Sequence, residues 1–151
     1  MSAIHNMPGH LIRRLNQISV AIFTERLAEL GLDLTPVQFA VLSTLAESEG
    51  LGQAALAGAV AYDKVTIGGV LDRMEQKGLV ARRVSPRDRR ARELSLTDQG
   101  AALLAEARPA VTALQAEILA GLDTAERQTF LALLKKATEA GNALSRAPLK
   151  L

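Results

Sequence analysis

The chain has 151 residues, 48% hydrophobic and 23% charged: one domain's worth of sequence, able to close its own core and far from the charge-rich profile of disorder. With 3% aromatic residues and no cysteine, it lacks the base-stacking platforms of RNA and single-strand binders, disulfides, thiol catalysis and thiolate metal sites, and it suits a reducing compartment. The formal net charge is only +2, so position matters more than total.

In chain order, Leu11, Leu15, Ile18 and Ile22 recur at helical spacing and predict a first helix from Pro8 to Leu30, ended by Gly31. Thr35-Pro36-Val37-Gln38 combines a hydroxyl N-cap, proline at the first helical position and a capping-box Gln. The helix it opens points Phe39, Leu42 and Leu45 inward and stops before Gly50. Leu51 to Ala61 reads as a short helix of small residues, and Asp63 caps another from Lys64 to Lys77, closed by Gly78.

The period then changes. Leu79 to Val84 and Ala91 to Leu96 read as two strands around the turn Ser85-Pro86-Arg87-Asp88. Between Leu79 and Thr97 stand Arg82, Arg83, Arg87, Arg89, Arg90 and Arg92 against only Asp88 and Glu93. A nearly neutral chain thus carries one arginine patch, placed on a hairpin, which suggests a polyanionic partner; a solvated basic loop is the plainer alternative. Thr97 caps a long helix to about Leu119 with Pro109 inside it, and Asp123-Thr124-Ala125-Glu126 opens a last helix to about Leu144. Arg146 to Leu151 reads as a loose tail.

Helix, turn, helix and basic hairpin in that order make a winged helix-turn-helix: an α-helix fits the major groove of duplex DNA, and an arginine-bearing hairpin reaches the flanking backbone or minor groove. The expected class is mainly α with a small β-hairpin, a winged helix-turn-helix lobe (35–97) with flanking dimerisation helices (8–30 and 98–145), all in a single domain (1–151). The run Leu71-Asp72-Arg73-Met74-Glu75-Gln76-Lys77-Gly78-Leu79-Val80, then Asp88-Arg89-Arg90 and Leu94-Ser95-Leu96-Thr97-Asp98-Gln99-Gly100, resembles the multiple antibiotic resistance regulator (MarR) family. Its D-x-R and L-T-x-x-G hallmarks fall at Asp88, Arg90, Leu96, Thr97 and Gly100. The resemblance implies a homodimeric DNA-binding transcriptional regulator, usually a repressor, often released by a small aromatic or phenolic ligand.

At 100° per residue, Ile67, Val70, Leu71 and Met74 share the inward face of the recognition helix. Lys64, Val65, Thr66, Gly68, Gly69 and Arg73 are the DNA-contact candidates on the rest. Val65 and Thr66 suit thymine methyls, and Arg73 suits a phosphate or guanine. Two mid-helix glycines cost roughly 1 kcal/mol each relative to Ala, explained either by close approach to a groove floor or by a tight helix crossing. On the wing, Arg87 and Arg89 sit at the tip of the turn. Arg90 is a third DNA candidate; the resemblance implies that it pairs with Asp72 and locks the wing to the recognition helix. Arg82, Arg83 and Arg92 alternate along the strands as ordinary solvated positions or contacts.

His10, Arg14 and Gln17 form a polar strip beside the apolar stripe of the first helix, with Ser19 nearby and Arg13 opposite the core. A partly buried Arg14 needs an anion, either a carboxylate of the dimer or a bound ligand. The segment His10-Leu11-Ile12-Arg13-Arg14 with Gln17-Ile18-Ser19 resembles family members that govern catabolism of benzoate- or hydroxycinnamate-type acids, implying an aromatic acid effector.

Catalysis has little to draw on: His5 and His10 are the only histidines, and H-E-x-x-H, phosphate-loop and G-x-S-x-G motifs are missing. Neither an enzyme nor a cofactor is expected. A helical protein-interaction module leaves the arginine hairpin unexplained, and a ligand-independent DNA-binding regulator stays open. The longest apolar run, Ala54 to Tyr62, falls short of the roughly 20 residues that span a bilayer, and Met1 to His10 has no secretory pattern. A cytoplasmic protein without a membrane partner is the expectation.

Overall fold

The structure, a computed structural model, describes residues 2–151. It contains α1 (Pro8–Glu29), α2 (Pro36–Glu47), α3 (Gln53–Val60), α4 (Lys64–Gln76), β1 (Val80–Val84), β2 (Arg92–Leu96), α5 (Asp98–Ile118) and α6 (Thr124–Gly141), with 3-10 turns at Ala3–Asn6 and Asn142–Leu144. Helix starts follow local chemistry. The Thr35 hydroxyl accepts the Gln38 N–H at 3.2 Å while the Gln38 side chain accepts the Thr35 N–H at 3.1 Å. Asp123 and Glu126 make the same reciprocal pair at α6. Each box satisfies two amides that have no partner inside the helix.

Antiparallel β1 and β2 pair Val80 with Leu96 and Val84 with Arg92. Leu51 adds a rung: its carbonyl accepts the Leu94 N–H at 2.8 Å, tying the segment before α3 to the hairpin. The core runs from Phe23 and Leu27 of α1 through Leu42, Leu56, Ile67, Leu71, Met74 and Leu94 to Leu104 and Leu114 of α5. The helix-turn-helix lobe therefore sits on a scaffold made by α1 and α5.

The L-T-x-x-G motif is structural. Gly78, at φ 73°, ends α4 in the left-handed conformation. The Thr97 hydroxyl donates to the Gly78 carbonyl and accepts the Gly100 N–H, and the Thr97 N–H donates to Leu79 O at 3.2 Å. A Cβ at Gly100 would overlap the Leu79 carbonyl; only glycine lets α5 start this close to the strand.

α6 stands apart. None of its residues is buried, and Leu131 and Leu133 are at least half exposed. The expected loose tail is instead pinned. Asn142 exchanges two hydrogen bonds with the Leu149 backbone at 2.8 and 3.0 Å, and the Lys150 N–H donates to Gly58 O of α3 at 2.9 Å. The side-chain amide of Asn142 and the Gly58 carbonyl, which also accepts the Ala61 N–H at 3.2 Å, supply partners that a composition reading does not see.

Gly100→Ala is expected to cost roughly 3 kcal/mol or more, because backbone must move to admit the methyl. Chemical denaturation measures this, and Ala101→Gly, at an exposed neighbouring position, is the control and should lose about 1 kcal/mol.

Candidate nucleic-acid interface and interlobe pocket

Asp63 builds the front of the recognition helix α4. Its carboxylate accepts the Thr66 N–H at 2.8 Å and the Thr66 hydroxyl at 2.7 Å. These two bonds, the hydroxyl's first, hold its pKa below the ordinary carboxylate value. The hydroxyl of Thr66, a base-contact candidate, thus serves the cap. Lys64 and Val65 project beside it, and Val65 is 86% exposed, an apolar side chain at the helix tip with nothing of its own chain to cover it.

The two glycines separate. A Cβ at Gly68 would stand 3.0 Å from the Gln53 side-chain nitrogen of α3, whereas one at Gly69 would meet only the far end of Arg73 at 4.0 Å. Gly68 therefore serves the helix crossing, and Gly69 alone leaves room for an approaching groove. Arg73 is exposed.

On the wing, the buried Ser85 hydroxyl accepts the Arg87 and Asp88 amides and donates to Glu93 at 3.0 Å. Asp88 Oδ1 accepts the Arg90 N–H at 2.9 Å. This small network rigidifies the tip and leaves the Arg87, Arg89 and Arg90 side chains exposed.

The expected Asp72–Arg90 lock is not formed. Arg82 makes it, donating to Asp72 at 2.7 Å and reaching Glu75 at 3.4 Å, with its own side chain only 16% exposed. The register explains the exchange. Arg82 pairs with Leu94 in the middle of the hairpin, next to the outgoing end of α4, while Arg90 lies beyond the last paired rung. Asp72 and Glu75, one turn apart, converge on that single guanidinium.

Between the lobes, α1, α2 and α5 line a mostly apolar, solvent-open cavity of about 410 Å³, bounded among others by Phe23, Phe39 and Val111 with polar groups from Asn16, Ser19, Tyr62 and Gln115. Tyr62 is the residue before the Asp63 cap, so the cavity touches the segment that starts the recognition helix. Ser19 is the only member of the predicted ligand set that lines it. Arg14 is exposed rather than partly buried, and His10 and Gln17 are held away by Arg13, which bonds to both at 3.4 and 3.3 Å. Sequence spacing places these side chains on one face but does not say which face and stretch of α1 meet the lobe. Asn16, Phe39, Tyr62 and Gln115, which the fold brings together from three helices and the turn before α4, share no spacing in the sequence.

The pattern of the MarR family matches residues 34–91. The transcriptional regulator HosA from Escherichia coli O111:H- is 36% identical over 134 residues, 89% of this chain and 96% of that protein. The chain belongs to the MarR family. Two solved MarR-type structures show the same architecture. BpsR of Bordetella bronchiseptica, whose DNA binding is regulated by 6-hydroxynicotinic acid, superposes with TM-score 0.84 at 33% identity, covering 91% of this chain and 97% of that one. A variant of E. coli MarR complexed with operator DNA gives 0.79 at 32% identity, covering 85% and 91%. As a MarR-family member the chain is a DNA-binding transcriptional regulator, with six α-helices and a two-stranded wing among the described residues.

The wing lock gives a ranked expectation. Arg82→Ala should weaken DNA binding by roughly tenfold, since it frees the wing and leaves two uncompensated carboxylates on the recognition helix. Asp72→Ala should cost less because Glu75 still holds Arg82, and Arg90→Ala should lower the salt dependence of binding without loosening the wing. Fluorescence anisotropy across a salt series separates the three; tighter binding by Arg82→Ala would rule out the lock.

The Asp63 cap carries a pH signature. Because its folded pKa is depressed, its contribution is complete above the unfolded value near pH 4 and is lost as pH falls through the folded value. Acid unfolding of Asp63→Asn, which keeps an oxygen acceptor but cannot titrate, should show a shallower stability loss below about pH 4.

Proposed function

We propose that this regulator is a homodimeric repressor released from a pseudopalindromic operator by a small aromatic carboxylate bound between the lobes. The observation that carries the reading is the interlobe cavity: aromatic and aliphatic walls, a few convergent hydrogen-bonding groups, and contact with Tyr62 at the entry to α4. Its volume suits a single-ring acid. The regulation of BpsR by 6-hydroxynicotinic acid supports the same ligand class.

The dimer rests on the unpartnered helices. Leu11, Ile12 and Leu15 of α1 face Ile118 of α5, the Leu119 that follows it, and Phe130 and Leu134 of α6 across an open apolar groove of about 620 Å³. A second copy of these helices is the occupant that buries this surface. Two recognition helices then meet half-sites about one helical turn apart. The base-reading set is Lys64, Val65, the Thr66 methyl and Arg73, with Gly69 leaving room for the groove, and Arg87, Arg89 and Arg90 act on the flanking backbone.

No side chain lining the described cavity is cationic, so within one protomer the carboxylate is held by hydroxyl and amide donors, chiefly Ser19 and Tyr62. Arg14, for which no acid lies within 4 Å among the described residues, is the cation available to join across the dimer. Binding can change DNA affinity only by the difference in ligand affinity between the free and DNA-bound states.

A thermal-shift and anisotropy series with benzoate, 4-hydroxybenzoate and 6-hydroxynicotinic acid tests the reading: an inducing acid should raise the melting temperature and release the duplex. Ser19→Ala and Tyr62→Phe should each weaken the acid about fivefold, one hydrogen bond's worth, with DNA binding retained. Failure of every acid to shift melting or release DNA would leave a ligand-independent regulator.

A further inference from the structure

The exposed face of α3 carries more positive charge than α3 itself supplies. At its N-terminal end Ala54 and Ala55 border a cleft lined by Lys64, Arg82 and Arg92. One turn further on, the same face presents Gly58 to the C-terminal tail. The Lys150 N–H donates to Gly58 O at 2.9 Å, and Lys150 Cβ lies 3.0 Å from where a Gly58 Cβ would be. Glycine here admits the tail. Asn142 fixes the tail's other end through its two bonds to Leu149, and the Ser145 hydroxyl accepts the Ala147 N–H at 3.1 Å. The tail's course is thus set by four hydrogen bonds.

This route brings two cations to the turn between α3 and α4. Arg146 lies close enough to Asp63 to act on its carboxylate but makes no ion pair with it among the described residues, and both Arg146 and Lys150 are exposed. In a helix-turn-helix the second helix enters the major groove N-terminus first while the first helix crosses the sugar-phosphate backbone. The exposed face of α3 and the start of α4 therefore front the phosphates that border the groove.

We propose that the C-terminal tail is a third DNA-contact element, in which Arg146 and Lys150 neutralise backbone phosphates beside the recognition helix and extend the basic band begun by Lys64 and Arg92. The contact is sequence-independent: it adds affinity and orientation, not base choice. It also offsets Asp63, an acid that the helix cap requires at a surface facing a polyanion.

The test is the salt dependence of binding of Arg146→Ala/Lys150→Ala to a mixed-sequence duplex, with Lys135→Ala/Lys136→Ala on α6 as the charge-matched control. Both alanines keep the backbone bonds of the tail. Loss of two phosphate contacts per protomer, four per bound dimer, should reduce the slope of log K against log salt by about 4 and weaken binding by at least about tenfold at physiological salt, while the control is unchanged. Gly58→Val, which drives the tail off α3 with its cations intact, should reproduce the loss of slope. A wild-type slope in the double-alanine variant, with or without a change in affinity or melting temperature, would overturn the proposal. Retained DNA binding by the control shows that the regulator itself is functional in either event.

Discussion

Everything that reads DNA in this molecule hangs on one backbone junction, where α5 begins against the end of α4. The Thr97 hydroxyl links the Gly78 carbonyl to the first turn of α5, and Gly100 removes the side chain that would hold the two segments apart. Recognition helix, wing and long scaffold helix diverge from this point within a few residues. A backbone joint of this kind holds their relative angles more firmly than packing of flexible side chains does, since its partners have no rotamers to exchange.

The electrostatic design follows from the same geometry. A surface meant for DNA carries acids at Asp63, Asp72 and Glu75, and each has a reason to be there. Asp63 terminates the helix; Asp72 and Glu75 hold Arg82, and through it the wing. Arg82 offsets both carboxylates while sitting largely out of solvent, so the outward-facing arginines at the wing tip remain available. A chain with a net charge of +2 thereby presents a strongly basic edge without the repulsion that a highly charged protein would carry throughout.

The scaffold has the opposite character. Arg26 of α1 joins α5 through a bidentate pair with Glu117 and also holds Glu29. The hydrogen-bonded pair raises the guanidinium pKa and lowers that of Glu117. This pair and the Phe23 and Leu27 contacts fasten the C-terminal half of α1 to the rest of the molecule, whereas its N-terminal half, at Leu11, Ile12 and Leu15, faces the open groove beside α6. The cavity lined by α1, α2 and α5 lies next to Tyr62, the residue before the Asp63 cap of the recognition helix.

Much of this was legible in the chain itself because local chemistry is strong where it was read. Capping boxes at Thr35 and Asp123, the Asp63 cap, the glycine stop at Gly78 and the change from helical to strand period define the elements, and their order defines a winged helix-turn-helix. The arginine hairpin marks the partner. What the tertiary structure decided were pairings between residues distant in sequence. Arg82 rather than Arg90 meets Asp72 because strand register sets which arginine lies beside α4. Gly68 and Gly69 are identical in sequence terms but differ in whether Gln53 of another helix stands opposite. The tail is held by Asn142 and by a carbonyl of α3, neither of which has a local signature. The cavity wall draws its residues from three helices and the turn before α4, so helical spacing along α1 alone selected the strip carrying His10, Arg14 and Gln17, while the lobe packs against a neighbouring face, at Asn16, Ser19 and Phe23. Periodicity says which residues share a face; only the packing of the whole chain says what that face meets.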